Sequence, residues 1–148
     1  MAYEFKIQRR IEFSETDMAN IVHFSNFFRY MEFAEHAFYR SLGFSAMMDD
    51  YEPPLGLPRV HAQCDYHHPL RFEQMLEIHL LVRERRSKVI TYDFRFRSLQ
   101  TDPPTNVARG RLTVVCVRRK PDGTFVSTVL PEDVAAKITA APPECLAP

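Results

Sequence analysis

The segment Phe13-Ser-Glu-Thr-Asp17-Met-Ala-Asn20-Ile-Val-His23-Phe24-Ser-Asn-Phe27 connects two regions with different hydrophobic periods. Beyond it, apolar residues recur at steps of three and four, at Phe27, Met31, Ala34, Phe38 and Leu42. This spacing predicts one amphipathic helix over about residues 24–42. Ser25 or Asn26 suits the start of the helix and Gly43 suits its end. Because the apolar stripe is wide, we expect other structure to enclose most of the helix.

Alternating hydrophobic residues predict strands on both sides of this helix. The N-terminal region alternates over about residues 3–13, as a half-buried strand does. After a proline-rich loop, β-rich runs predict further strands over about residues 59–67, 74–84, 88–98 and 107–118. Pro131 suits the start of a short C-terminal helix that ends near Ala140. One long helix followed by a run of strands is typical of the α+β class with an antiparallel sheet.

Length, composition and charge narrow the class of protein. The chain has 148 residues, of which 45% are hydrophobic and 26% charged, which suits one globular domain. We expect that domain over residues 1–141, followed by a frayed tail over 142–148. Nineteen basic residues balance nineteen acidic ones, so the chain is not a strongly basic nucleic-acid binder.

Membrane spans, export signals and cysteine frameworks are not predicted either. No apolar run approaches the roughly 20 residues that cross a membrane, and the N-terminus lacks the apolar core of a signal peptide. The three cysteines are widely spaced and form no CxxC pair, which argues against disulfides and zinc. We therefore expect a cytoplasmic protein without membrane or nucleic-acid partners.

The segment before the helix has residue types that suit acyl chemistry. A helix N-terminus offers unpaired amide groups and a partial positive charge, which stabilise a developing oxyanion. Asp17 precedes it and is a candidate to attack a carbonyl or to activate water. Spacing alone favours a plainer interpretation, in which Asp17 is a turn residue that bonds nearby amides.

Residues 10–35, from Arg10 to Glu35, resemble the opening of the 4-hydroxybenzoyl-CoA thioesterase family of hot-dog proteins. That family has a strand, then Asp-x-x-Gly-(Ile/Val)-Val-aromatic, then an Asn/Ser-aromatic step into the helix. Three later segments resemble the family in the same order: Cys64-Asp-Tyr-His-His-Pro69-Leu-Arg-Phe-Glu73, Glu84-Arg-Arg-Ser-Lys88 and Leu130-Pro-Glu132. The resemblance implies a hot-dog fold, in which an antiparallel sheet wraps one long helix.

The resemblance also implies roles for individual residues. Asp17 matches the catalytic carboxylate, as nucleophile or as general base, and the backbone amide of Phe24 matches the oxyanion donor. A basic cluster, Arg85, Arg86 and Lys88, lies where relatives bind the phosphates of CoA, although a solvated strand end explains these residues equally well.

Two positions depart from the family pattern. Asn20 replaces the motif glycine, and Asn tolerates the left-handed backbone conformation better than most residues. His23 and Phe24 stand in the reverse of the usual Tyr-His order, so His23 is a candidate for a chemical role or for a helix cap.

Several other residues receive structural interpretations. Another hot-dog branch has a catalytic Glu on the helix, but here Glu32 and Glu35 are expected to be at the surface or behind the site. Tyr66 is a candidate to face a pocket, although core packing is the default expectation for it, as it is for Cys64 and Cys116. The remaining histidines of the strand region, His61, His67, His68 and His79, lack the spacing of a metal site.

The resulting functional prediction is an acyl-CoA thioesterase that needs no cofactor. By resemblance its pocket forms between two subunits of a homodimer or homotetramer. The alternatives are a non-catalytic acyl-binding module and, with less support, a hot-dog hydratase or dehydratase. The acyl group, and the choice between CoA and an acyl-carrier protein, stay open.

Overall fold

A five-stranded antiparallel sheet dominates the computed structural model, which describes residues 1–148. Its strands are β1 (Glu4–Arg10), β3 (Arg59–Tyr66), β4 (Met75–Arg85), β5 (Val89–Ser98) and β6 (Thr105–Val115). They are arranged in the order β1-β4-β5-β6-β3. The four predicted C-terminal strands are therefore present within about three residues of their expected ends, and β1 and β3 form the two edges.

The helix α1 (Asn26–Ser41) lies against one face of this sheet. Its apolar side is buried against every second residue of the central strands, including Ile78, Leu80, Phe94 and Phe96. Gly110 on β6 lies directly under the helix, where an added Cβ would collide with the side chain of Met31. One enclosed helix wrapped by an antiparallel sheet is the hot-dog fold, which confirms the predicted fold class.

A second, smaller sheet was not predicted from the sequence. It pairs β2 (Leu55–Gly56) with β7 (Val117–Arg119), and β7 with β8 (Phe125–Ser127). The sequence predicts a loop at residues 45–58 and one continuous strand over residues 107–118. In the structure Cys116 separates β6 from β7, and two-residue strands such as β2 are too short to give a periodic signal.

Both ends of the chain differ from the predicted bounds. β1 stops at Arg10, and Phe13–Glu15 forms one turn of 3-10 helix. Near the C-terminus, α2 covers only Glu132–Ala135. The expectation of a frayed tail is not met, because Pro143–Leu146 forms the short helix α3. Arg95 on β5 holds this tail by donating hydrogen bonds to two of its carbonyl groups.

None of the helices has both the length and the apolar character that crossing a membrane requires.

Candidate active site

A tight loop carries Asp17 from the 3-10 turn to the helix. Its backbone is closed by the amide of Asp17, which donates to the carbonyl of Ile21 at 2.9 Å, and by the amide of Asn20, which donates to the carbonyl of Asp17 at 2.9 Å. Asn20 has a φ of 63°, the left-handed conformation that the motif glycine would supply. The expectation that Asn preserves this turn is confirmed.

The carboxylate of Asp17 is half-buried and only partly engaged. One oxygen, Oδ1, accepts a hydrogen bond from the amide of Ala19 at 2.8 Å. The turn-residue interpretation is thus correct for this oxygen. The other oxygen has no hydrogen-bond partner in the chain, so it is free to act on a substrate.

The start of the helix is fixed to the same loop. The carbonyl of Glu15 accepts hydrogen bonds from the amide of His23 at 2.9 Å and from the side chain of Asn26 at 2.8 Å. The amide of Phe24, between these two residues, donates no hydrogen bond within the chain. This amide is therefore available to an incoming oxygen, as an oxyanion donor must be.

Asp17 and Phe24 line one open cleft of about 490 Å³. The walls come from the Asp17 loop, the start of α1 and the segment after β3: Ile21, Val22, Phe27, Tyr66, His67, His68, Pro69 and Leu70. A carboxylate with one free oxygen and an unpaired amide thus share a mainly apolar cleft, as acyl transfer requires.

The default expectation that Tyr66 packs in the core is wrong, and its alternative position facing a pocket is the one observed. Tyr66 is the last residue of β3 and is 44% exposed at the cleft. Its hydroxyl donates to the carbonyl of Phe24 at 3.0 Å, and its ring packs edge-on against Phe24 and Phe27. Burial raises the pKa of Tyr66 to about 12, so the hydroxyl stays a donor at neutral pH. Nothing in the sequence around Tyr66 signals this contact, which depends on how the end of β3 meets the helix.

His67 and His68 also line the cleft, although the sequence predicts no role for them there. They follow Tyr66 directly, and both backbone amides donate to the carbonyl of Val107. The structure has no group of three or more His, Cys, Asp or Glu side chains placed to hold a metal ion.

His23 does not line the cleft. Its ring stacks on that of Phe24 with centroids 4.6 Å apart. Its Nδ1 atom lies 2.7 Å from the Ser25 hydroxyl and accepts the amide of Ser25 at 3.3 Å. Of the two interpretations offered for His23, this geometry fits the helix cap.

The basic cluster of Arg85, Arg86 and Lys88 is distant from Asp17 within one chain. The Asp17 loop is attached beside the start of β4, because the amide of Val22 donates to the carbonyl of Leu70. Arg85 is the last residue of β4, and Arg86 and Lys88 follow it. The ten steps of extended strand from one end of β4 to the other cover about 30 Å. A single subunit therefore does not bring Asp17 and the basic cluster together.

Glu35 on the helix is completely buried and lies outside the cleft. Its carboxylate pairs with Arg59 and accepts a hydrogen bond from the hydroxyl of Tyr39 at 3.2 Å. The Tyr39 hydroxyl lies 2.6 Å from that of Tyr92. Burial raises the pKa of Glu35, against the opposing effect of Arg59. Of the two expected positions, the surface one is excluded for Glu35 by its burial, whereas the half-exposed Glu32 fits it.

The fold and the cleft together define a hot-dog protein with a carboxylate at the start of its helix. Residues 11–147 match the thioesterase-like superfamily. The chain belongs to this family and is a thioester hydrolase.

Individual relatives agree with this assignment. A protein of Aquifex aeolicus (strain VF5), described in general terms as an esterase, is 40% identical over 94 residues, or 61% of this chain and 70% of that protein. The structure of a gentisyl-coenzyme A thioesterase is 26% identical, with a TM-score of 0.75 over 88% of this chain and 99% of that one. The 4-hydroxybenzoyl-CoA thioesterase of Pseudomonas sp. strain CBS-3 has a TM-score of 0.79 at 19% identity, over 91% of this chain and 99% of that one. This last likeness is one of fold.

Proposed function

We propose that the chain hydrolyses acyl-CoA thioesters in the cleft between the Asp17 loop and the start of α1. The observation that carries the proposal is the pairing in one cleft of a carboxylate with a free oxygen and an amide without a partner. The names of the relatives, which include a gentisyl-coenzyme A thioesterase, support CoA as the thiol part of the substrate.

The chemistry follows from these two groups. The thioester carbonyl oxygen accepts a hydrogen bond from the amide of Phe24, which stabilises the negative charge that develops on it. Asp17 either attacks the carbonyl carbon directly or removes a proton from the attacking water. Direct attack breaks the C–S bond and forms an acyl–Asp17 anhydride, which water then hydrolyses to the free acid and the Asp17 carboxylate. Attack by water gives the free acid in one stage. In both routes CoA leaves as a thiolate that takes up a proton, so no metal or redox cofactor takes part.

The apolar walls favour an aromatic or a short to medium acyl group. Phe24 and Phe27 line the cleft together with Ile21, Val22 and Leu70. Such a surface binds acyl carbons and excludes water from the reacting carbonyl. The cleft is open on one side, which leaves room for a second subunit to complete it.

We propose a homodimer formed by pairing of the edge strand β3 with its copy. β3 has eight residues and no partner on its outer edge, and an uncovered edge of this length favours strand pairing. A two-fold axis makes the paired strands antiparallel. The start of one β3 then lies beside the end of the other, which carries Tyr66 and the cleft.

This dimer also gives the basic cluster a role. Arg59 at the start of β3 is in register, across β6 and β5, with Arg85. The cluster of the partner subunit therefore comes to the same end of the joined sheet as the cleft. Within its own subunit, three strand spacings of about 5 Å separate this cluster from β3. The cluster is therefore within reach of the phosphates of a CoA bound in the cleft of the other subunit. Further pairing of dimers into a homotetramer is compatible with this arrangement. The three cysteines are free, and we propose a reducing cytoplasm as the compartment.

The test is thioester hydrolysis over a panel of aromatic and aliphatic acyl-CoAs, measured by release of free thiol. Wild type is compared with Asp17→Asn and with Asp50→Asn, a variant of an exposed carboxylate outside the cleft. We expect turnover on one acyl class, lost in Asp17→Asn and kept in Asp50→Asn. Binding of the CoA ester without turnover would instead identify an acyl-binding module. Water addition to an enoyl-CoA would identify a hydratase. Hydrolysis of the same acyl group only when an acyl-carrier protein carries it would show that the substrate is the carrier-protein thioester rather than the CoA thioester.

A further inference from the structure

The outer face of the main sheet, opposite α1, carries a cavity that plays no part in the proposed hydrolysis. Its volume is about 340 Å³. Charged side chains dominate its lining: Arg83, Arg95, Arg109, Arg111, Asp65 and Asp93. The tail residues Leu146 and Pro148 complete one wall, so the cavity is a recess rather than a flat surface.

One of the two carboxylates in this cavity is already shared by two arginines. Asp93 accepts hydrogen bonds from Arg83 and from Arg111, each at 2.8 Å. Asp65 forms no ion pair with any residue. Arg95 and Arg109 therefore have no carboxylate partner, and the cavity has an excess of positive charge.

Arg95 is fixed in place by groups that do not neutralise it. Its Nη2 atom donates to the carbonyls of Cys145 at 2.8 Å and Ala147 at 2.6 Å. Neutral carbonyls orient a guanidinium, but its full charge remains. Arg95 is thus a preorganised cation in the lining of the cavity.

Arg109 lies directly opposite Arg95 in the register of β5 and β6, and directly opposite Asp65 in the register of β6 and β3. It makes no hydrogen bond or ion pair within the protein, so all five of its N–H donors are unused. Like charges at directly opposed positions destabilise a sheet. Consistent with this, burial and the neighbouring Arg109 and Arg97 lower the pKa of Arg95. An anion between the two guanidiniums would replace their repulsion by two attractive pairs.

We propose that this cavity binds a phosphate-type oxyanion, held by Arg95 and Arg109. Guanidinium groups form paired, charge-assisted hydrogen bonds with phosphate oxygens. The phosphate belongs either to a free ion or to a nucleotide. The site lies on the other side of the sheet from the Asp17 cleft, so it is independent of the hydrolytic reaction.

The proposal is tested by calorimetric titration of the full chain at low ionic strength. The probes are inorganic phosphate and adenosine 5′-monophosphate, which separate the free ion from a nucleotide-borne group and lack the 3′-phosphate of CoA. The variant is Arg109→Gln, and the matched control is Arg118→Gln, an exposed arginine on β7. We expect saturable binding by wild type and by the control, and at least a ten-fold loss of affinity in Arg109→Gln.

Thermal unfolding provides a second measurement, which distinguishes phosphate binding by Arg109 from a purely structural role of that residue. Without phosphate, Arg109→Gln should melt close to wild type, because the substitution removes both the repulsion by Arg95 and the attraction of Asp65. Added phosphate should raise the melting temperature of wild type and leave that of the variant unchanged. Absence of saturable binding to wild type, or an equal loss in Arg118→Gln, would overturn the proposal. Thiol release from acyl-CoA, measured beside these titrations, stays at the wild-type rate in Arg109→Gln.

Discussion

Two carboxylates lie near the same helix in opposite environments. Asp17 precedes the helix in an open cleft, and one of its oxygens has no partner. Glu35 lies in the middle of the helix, completely buried, between Arg59 and the hydroxyl of Tyr39. The first can reach a substrate, whereas the second is fully engaged within the protein.

This difference decides which carboxylate is the candidate for chemistry. A catalytic base must come within hydrogen-bond reach of the substrate or of one water. Glu35 meets no solvent, and loss of its pairing would leave Arg59 with only the half-exposed Glu32. Glu35 is therefore structural here. A shifted pKa does not by itself identify a catalytic group, since the pKa of Glu35 is raised chiefly by burial.

The largest expected effect is a difference in kcat between the variants Asp17→Asn and Glu35→Gln. Each change keeps the shape of the side chain and removes its charge. We expect Asp17→Asn to lower kcat by about 10²–10⁴-fold, the usual contribution of a positioned acid or base. Glu35→Gln should stay within a few-fold of wild type, measured on the preferred acyl-CoA. A loss of similar size in both variants would contradict the assignment.

The next effect is on stability and concerns only Glu35. Its pKa is raised in the folded state above the unfolded value of 4.5, chiefly by burial. Between these two values the folded state binds more protons, so stability falls as pH rises through that window. Glu35→Gln has no proton to lose and should lack this fall.

The measurement is the melting temperature of both proteins as a function of pH, from below 4.5 upward. His36 and Glu32 lie close to the same carboxylate and Arg59, but they are common to both proteins. The gap between the two curves therefore reports Glu35. A gap that stays constant with pH would show that burial does not shift the pKa of Glu35.

The sequence predicted the helix and the main strands because their hydrophobic periods are long and regular. It also singled out Asp17, Asn20 and Phe24 as candidates, because the loop before the helix is a local motif. It did not show that Glu35 is buried, since the pairing with Arg59 joins residues 24 positions apart. The contact of Tyr66 with Phe24 was missed for the same reason, because the two residues are 42 positions apart.

A smaller effect is expected at Asn20, where the cleft loop depends on an uncommon backbone conformation that the Glu35 region does not need. Its φ of 63° favours Gly and Asn over residues with an ordinary Cβ. Asn20→Ala should cost about 1 kcal/mol in the free energy of unfolding, measured with urea. Asn20→Gly should preserve both stability and turnover. Equal stability of the Ala and Gly variants would show that the loop relaxes out of this conformation.

The smallest expected effect compares two tyrosine hydroxyls, one in each region. Tyr66 bonds the carbonyl of Phe24 at the cleft, and Tyr92 bonds Tyr39 beside Glu35. A single hydrogen bond contributes about 0.5–1 kcal/mol, so Tyr66→Phe should lower kcat about two- to five-fold through a shift of the Phe24 peptide. KM should change little, because the ring that lines the cleft remains. Tyr92→Phe should lower the melting temperature and leave kcat unchanged, since its hydroxyl is buried away from the cleft. If Tyr66→Phe altered KM alone, its hydroxyl would be contacting the substrate rather than positioning the start of the helix.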